Sequence, residues 1–167
     1  MKNSGRSLGR RLFMLGDRLS RIKHRKGHGV HSPFVYGFVR KVLMVKSLCE
    51  ESGTALYDSL VAHNVADKRA KELHNLLAYI EGQSYSINDV EGDLSILLAD
   101  YPTEKLREAL ATARQESVTL VICQPYLNRE RQCEVAALIG EHCSTTVDNR
   151  AYTLFFNNHL PKQHYRL

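Results

Sequence analysis

The chain reads His28-Gly29-Val30-His31-Ser32-Pro33-Phe34-Val35-Tyr36 at the point where a basic N-terminal segment gives way to a folded domain. Ser32 can cap a helix with its side-chain oxygen, and Pro33 suits the first helical position, because the N–H that proline lacks has no helical partner there. Apolar residues then recur at helical spacing as far as about Lys46. The sequence therefore predicts a helix from Pro33 to about Lys46 with one buried face.

Positive charge is concentrated before residue 47. The 167-residue chain has a formal net charge of +5, but residues 1–46 hold twelve Lys and Arg against the single acidic residue Asp17. The remaining residues are therefore acidic on balance. The length fits one domain of ordinary size with a sizeable core and an appendage. Such a basic appendage can attract nucleic acid or anionic lipid by charge alone.

Residues 6–26 predict an amphipathic basic helix, because five apolar residues recur there at alternating steps of four and three. The side chains that would contact a nucleic acid or another anion are Arg10, Arg11, Arg18, Arg21, Lys23, Arg25, Lys26, His28 and His31. Three interpretations stay open at this point. The apolar stripe packs on the domain's own surface, or the helix binds nucleic acid, or it lies on a membrane surface.

An alternation of helices and strands occupies the rest of the chain. A short helix around residues 56–61 precedes predicted helices at residues 66–81, 103–114 and 128–142, with Thr103 and Asn128 as caps of the last two. The predicted strands are residues 84–88, 94–99, 118–123, 144–147 and 152–156. This order indicates an α/β fold whose last two strands form a hairpin.

The cysteine and histidine patterns favour neither a disulfide nor a metal site. The four cysteines form no C-x-x-C pair, so reduced thiols are expected. His24, His28 and His31 cluster, but no carboxylate or thiolate lies between Arg18 and Lys46 to complete a metal site. The apolar runs are too short for a signal peptide or a membrane span. We therefore expect a cytoplasmic protein without a metal.

Two terminal motifs carry a family resemblance. The stretch from His28 to Tyr36, after a run of Arg and Lys, resembles the N-terminal signature of a group of S-adenosylmethionine-dependent methyltransferase-like proteins of class I. Leu154-Phe155-Phe156 and the tail from Leu160 to Leu167 resemble the closing strand and tail of the same group. The resemblance covers roughly residues 20–45 and 66–167.

The resemblance implies a reduced Rossmann-like methyltransferase sheet of about five strands, mostly parallel with a C-terminal antiparallel hairpin, preceded by N-terminal helices. In this interpretation residues 1–65 form the basic amphipathic arm and N-terminal helices, and residues 66–167 form the α/β methyltransferase-like domain. The segment 94–99 resembles the fourth strand of the family. Only a few residues separate it from the first strand, so the resemblance implies that two strand and helix units of the cofactor-binding half are deleted.

The family's cofactor loop has a poor counterpart here. The candidate turn, residues 88–93, contains one glycine, so the weak candidates for S-adenosylmethionine binding are Asp89, Glu91 and Gly92. Where the family has paired acidic residues after its fifth strand, this chain has Cys123 and Gln124. No catalytic residue is predicted. Glu141-His142-Cys143 is a weak thiol and imidazole candidate, because neighbouring helical residues point in different directions.

Three functions follow from these observations. The first is a degenerate, non-catalytic methyltransferase-like protein, a pseudoenzyme that acts as a binding or interaction module. The second is an active S-adenosylmethionine-dependent methyltransferase completed by another chain or by a non-standard loop. The third is an RNA-binding protein that uses the basic arm. The deletion would also leave the strand near Tyr85 at a sheet edge, covered by the helix from Pro33 or by a second copy in a homodimer.

Overall fold

The computed structural model describes residues 32–49 and 53–167, and these residues build one six-stranded sheet with helices on both faces. The strands are β1 (Tyr85–Ile87), β2 (Leu94–Leu97), β3 (Thr119–Cys123), β4 (Thr146–Asp148), β5 (Tyr152–Phe155) and β6 (His164–Arg166). The α-helices are α1 (Pro33–Phe38), α2 (Ala55–Ala62), α3 (Asp67–Tyr79), α4 (Leu106–Gln115) and α5 (Arg129–Glu141). A π-helical segment (Val39–Leu43) continues α1, and the two together are called the first helix below.

The first helix begins where the sequence predicts. Pro33 occupies the first turn, and the hydroxyl of Ser32 accepts a hydrogen bond from the Val35 N–H at 3.3 Å. The helix ends at Leu43, three residues before the predicted end at Lys46. Asn75 of α3 then binds the following backbone, accepting from Cys49 N–H at 2.9 Å and donating to the Ser47 carbonyl at 2.9 Å. This side chain fixes the path of the chain after the helix.

Aromatic side chains attach the first helix to the sheet. The rings of Phe34 and Phe156 meet edge to face with centroids 5.0 Å apart, a favourable aromatic geometry. The Tyr79 hydroxyl donates to the Phe34 carbonyl at 2.6 Å. Gly37 permits this approach, because a Cβ added there would lie 2.6 Å from the Tyr79 hydroxyl oxygen. The helix is thereby packed against both α3 and the residue that follows β5.

The sheet has the strand order β1-β2-β3-β5-β4-β6, and three of its five pairings are parallel. The predicted α/β class and the terminal β4–β5 hairpin are confirmed, since β4 and β5 pair antiparallel. The sixth strand was not predicted. β6 pairs in parallel with β4, and its three residues alternate exposed and half-buried positions too briefly to give a sequence signal.

Two hydrophobic clusters lie on opposite faces of the sheet. The first helix, α2 and α3 cover one face, which includes Ile96, Val121 and Leu154. Helices α4 and α5 cover the other face, which includes Leu97 and Ile122. Of the inward residues that the periodicity predicts for α4 and α5, Ile139 is half-buried and the others are buried: Leu106, Leu110, Ala113, Val135 and Leu138. Both faces of the central strands are therefore protected from water.

The caps predicted for α4 and α5 have different outcomes. The Asn128 side chain accepts from the Arg131 N–H at 2.7 Å, which confirms it as the cap of α5. The prediction for Thr103 is wrong, because residues Thr103–Lys105 form a 3₁₀ turn that has no side-chain cap. A 3₁₀ turn is a common way for a helix to begin without such a cap.

Strand β1 lies at the edge of the sheet, as predicted, and among the described residues it pairs only with β2. Its Tyr85 contacts α2, since the hydroxyls of Ser59 and Tyr85 lie 3.2 Å apart, whereas the sequence predicts the first helix or a second copy as the cover. The described helices include none with the length and apolar character needed to cross a membrane.

A Gly37→Ala substitution should destabilise the fold by about 1–3 kcal/mol, because the new methyl group overlaps the Tyr79 hydroxyl. The same substitution in a Tyr79→Phe background should cost less, since the overlapping oxygen is gone. Chemical denaturation of the two single variants and the double variant measures this coupling. Gly140→Ala is the matched control, because nothing lies within 4 Å of a Cβ at that helical position. Simple additivity of the two substitutions would contradict the contact.

Candidate functional site

The carboxyl ends of β1, β2 and β3 meet at one edge of the sheet, because these three neighbouring strands are parallel. In open α/β sheets, ligands bind in the crevice outside these strand ends. The segments that leave the strands here begin at Asn88, Leu98 and Gln124. The predicted cofactor residues Asp89, Glu91 and Gly92 lie at this edge, in the segment that follows β1.

The turn between β1 and β2 is closed by two serines. The Ser86 hydroxyl contacts the carbonyls of Asp89 at 2.9 Å and Glu91 at 3.1 Å, and it lies 3.0 Å from the Ser95 hydroxyl. The Glu91 N–H points back to the same two hydroxyls, at 3.2 and 3.1 Å. The backbone polar groups of the turn are thus bound by side chains of the strands that it connects.

The single glycine of the turn approaches its own chain. Gly92 has a φ of +75°, and a Cβ added there would lie 2.8 Å from the Ser84 hydroxyl oxygen and 3.1 Å from the Ser84 carbonyl carbon. In a cofactor loop, glycine lets the backbone approach the ligand. Here the close approach that requires glycine is made to Ser84 instead.

Asp93 completes the turn from its other end. Its carboxylate accepts hydrogen bonds from Gln83 N–H at 2.8 Å, Ser84 N–H at 2.9 Å and the Ser84 hydroxyl at 2.8 Å. The bond from the Gln83 N–H, followed by those from Ser84, lowers the pKa of the carboxyl below its ordinary value. Asp93 therefore has a structural role, because its carboxylate holds the two backbone N–H groups just before β1.

The three predicted cofactor residues lie together on this turn. Asp89 accepts from the N–H of its neighbour Val90 at 2.7 Å, and Asp89, Glu91 and Gly92 are all exposed. The Glu91 N–H contacts hydroxyls of the strands that the turn connects. Their role in cofactor binding stays a prediction.

Asn88 links the end of β1 to the end of β2. Its side-chain oxygen accepts from the Leu98 N–H at 2.8 Å, and its side-chain nitrogen donates to the Asp100 carboxylate at 3.1 Å. The residue has a φ of +57°, a conformation that asparagine tolerates better than most residues. The two strand ends are thereby held together by a side chain rather than by a ligand.

Arg131 lies behind the ends of β2 and β3 and is 1% exposed. Its guanidinium donates to the carbonyls of Tyr101 at 2.8 Å, Leu98 at 2.9 Å and Cys123 at 3.2 Å. Burial lowers the pKa of this guanidinium below its ordinary value. No salt bridge among the described residues includes it, so carbonyl dipoles stabilise the charge. Sequence reasoning missed Arg131, although it shares the buried face of α5 with Val135 and Leu138 at helical spacing.

The last residue of β3, Cys123, and the residue after it, Gln124, carry no carboxylate. Burial raises the pKa of the Cys123 thiol to about 12, so the thiol stays protonated at neutral pH. Gln124 has a φ of +47°, and its N–H donates to the Ala151 carbonyl at 2.7 Å. Neither group can act as a general base at neutral pH.

The fold separates His142 from Cys143, the thiol and imidazole candidate of the sequence. The His142 ring is buried with Nε2 3.1 Å from the Phe156 carbonyl, and burial lowers its pKa. Cys143 is exposed instead, and its sulfur accepts from the Arg114 guanidinium at 3.3 Å. The two side chains therefore have different partners and do not form a thiol and imidazole pair.

The remaining predictions concern metals and the arm. Within residues 32–49 and 53–167, no group of three or more His, Cys, Asp or Glu side chains is placed to hold a metal ion. The predicted anion contacts Arg10, Arg11, Arg18, Arg21, Lys23, Arg25, Lys26, His28 and His31 lie outside the described residues. Their role stays a prediction.

Replacing Arg131 with Met should destabilise the protein by about 3 kcal/mol, because three buried carbonyls lose their donor. Arg131→Lys should cost nearly as much, since one ammonium group cannot span carbonyls on two strand ends. Arg129→Met is the control, as Arg129 is exposed on the same helix and should change stability by less than about 0.5 kcal/mol. Denaturation midpoints measure all three. A wild-type midpoint for Arg131→Met would show that the guanidinium does not hold the strand ends.

The chain was compared with protein families, curated proteins and solved structures. No family model matches the chain, and neither a curated protein nor a solved structure matches it. The functional proposal that follows is therefore argued from the residues of this chain alone.

Proposed function

We propose that this chain is a shortened, non-catalytic methyltransferase-like protein with a Rossmann-like sheet, acting as an interaction module through its basic N-terminal region. One observation carries the proposal: six residues connect the neighbouring parallel strands β1 and β2. Parallel strands ordinarily need a crossover of a dozen or more residues, which is most often a helix. A connection this short is what the loss of two strand and helix units would leave.

The chemistry of the turn supports the same proposal. The groups that would approach a cofactor, the Glu91 N–H and the Gly92 backbone, are held against Ser86, Ser95 and Ser84. At the end of β2, the Asn88 side-chain oxygen accepts a hydrogen bond from the Leu98 N–H. Binding S-adenosylmethionine would require breaking these contacts without the enclosing wall that repays such a cost.

The charge distribution supports an interaction role. Residues 47–167 hold eleven Lys and Arg against seventeen Asp and Glu, so the basic character of the protein belongs to residues 1–46. Such segregation attracts an acidic partner to one end of the molecule and repels it from the rest. The partner proposed here is therefore polyanionic.

A methyltransferase completed by another chain is the second candidate. The open position of β1 favours it, because among the described residues this strand pairs only with β2 and could accept a strand from another molecule. In that case cofactor binding would appear only after the second chain is added.

Isothermal titration calorimetry with S-adenosylmethionine and S-adenosylhomocysteine tests the proposal. We expect no binding tighter than roughly millimolar, since the pocket lacks one wall and its loop is closed. Thermal unfolding should be equally insensitive to both compounds. A micromolar isotherm with the isolated chain would overturn the proposal.

Any affinity for a single-stranded RNA homopolymer should come from the arm. Deleting residues 1–26 should abolish it and leave the thermal transition of the remainder nearly unchanged, because the described core begins with the first helix. Binding by the full chain should fall steeply with salt and differ little between homopolymers, since phosphate contacts carry no sequence information. RNA binding that survives the deletion would place the site in the α/β domain.

A further inference from the structure

Exposed apolar side chains lie on the first helix and directly after its end at Leu43. Tyr36 is 47% exposed, Met44 46% and Val45 37%. The other large apolar residues that are exposed in the described part of the chain are Val61 on α2 and Leu127 in the turn before α5. Scattered exposed apolar residues are ordinary, but Tyr36, Met44 and Val45 lie within ten positions of one another.

Basic residues lie among these apolar side chains. Arg40, Lys41 and Lys46 are exposed, and none of them takes part in a salt bridge between described residues. No acidic residue occurs from Arg18 to Cys49. We call this surface, formed by Tyr36, Arg40, Lys41, Met44, Val45 and Lys46, the basic apolar face.

The geometry of the helix places three of these side chains on one side. Tyr36, Arg40 and the C-cap residue Met44 follow one another at steps of four residues, and Val45 and Lys46 come directly after them. The opposite side is fixed, because Val35, Phe38, Val39 and Val42 are buried in the core. The helix that carries Tyr36 and Arg40 is therefore held against the core by its opposite side.

We propose that the basic apolar face docks on an anionic membrane surface. Lys and Arg are attracted to anionic headgroups, and Tyr, Met and Val gain by entering the boundary between headgroups and acyl chains. A nucleic acid would use the charges but leave Met44 and Val45 in water. The acidic remainder of the chain is repelled by the same surface, which orients the molecule with this face toward it.

This inference rests on the proposed interaction role and names its partner as an anionic lipid surface. The adjoining arm is consistent with it, because the apolar stripe and basic residues that the sequence places in residues 6–26 also suit a membrane interface. The face itself, however, belongs to the described domain. Its contribution can therefore be separated from that of the arm and from cofactor binding.

Co-sedimentation with lipid vesicles tests the proposal on the full chain. We expect binding to vesicles of phosphatidylcholine with phosphatidylglycerol and much weaker binding to phosphatidylcholine alone. A triple variant, Tyr36→Ser with Met44→Ser and Val45→Ser, should lose at least about tenfold in affinity, and so should Arg40→Ser with Lys41→Ser. The double variant Val61→Ser with Leu127→Ser is the matched control and should bind as the wild type, because it removes exposed apolar residues elsewhere.

Each outcome bears on the proposal. Thermal unfolding of every variant shows that the fold is intact, which we expect because the substituted side chains are exposed. Full vesicle binding by the triple variant would overturn the proposal and leave charge attraction alone. Loss of RNA binding in these variants, without vesicle binding by the wild type, would assign the face to nucleic acid instead. Calorimetric binding of S-adenosylmethionine would contradict the proposed lack of cofactor binding without affecting this result.

Discussion

The pairing of two parallel strands across a six-residue turn constrains the whole edge of the sheet. The chain must leave β1, reverse direction and enter β2 beside it without a crossover helix. Within the turn, the Glu91 carbonyl accepts from the Ser86 hydroxyl and the Glu91 N–H donates to the Ser95 hydroxyl. Asp93 binds the N–H groups before β1 and fixes the other end. The polar groups of the turn are therefore bound to the strands that it connects.

A buried cation completes this edge. Arg131 supplies three hydrogen bonds to the carbonyl groups of Leu98 and Tyr101 after β2 and of Cys123 at the end of β3. A buried guanidinium without a carboxylate partner is costly, so its retention requires good hydrogen-bond geometry. The capping of α5 by Asn128 helps, because it places Arg131 in the first turn facing the sheet. Strand ends that commonly bind ligands are therefore held together by the protein's own side chains.

Local chemistry explains which features were predictable. Ser32-Pro33 and Asn128 are strong helix starts because capping acts within four residues, and the structure has both. The buried strands were recognisable from continuous apolar runs. The roles of Asp93 and Arg131 were not, since each depends on backbone groups that the fold brings close from distant positions. β6 escaped prediction for a related reason, because a three-residue strand beside β4 is specified by its partner rather than by its own pattern.

Charge is distributed unevenly along the chain. Residues 47–167 are acidic on balance and include the β1–β2 turn, whereas the basic residues 1–46 include the first helix. The central claim is that the β1–β2 turn is closed in solution. Amide hydrogen exchange, resolved by residue, measures this most directly. The account predicts protection of the Glu91 and Leu98 N–H groups, which bind the Ser86 and Ser95 hydroxyls and the Asn88 side chain. Exchange of both at the rate of an unfolded peptide would contradict it.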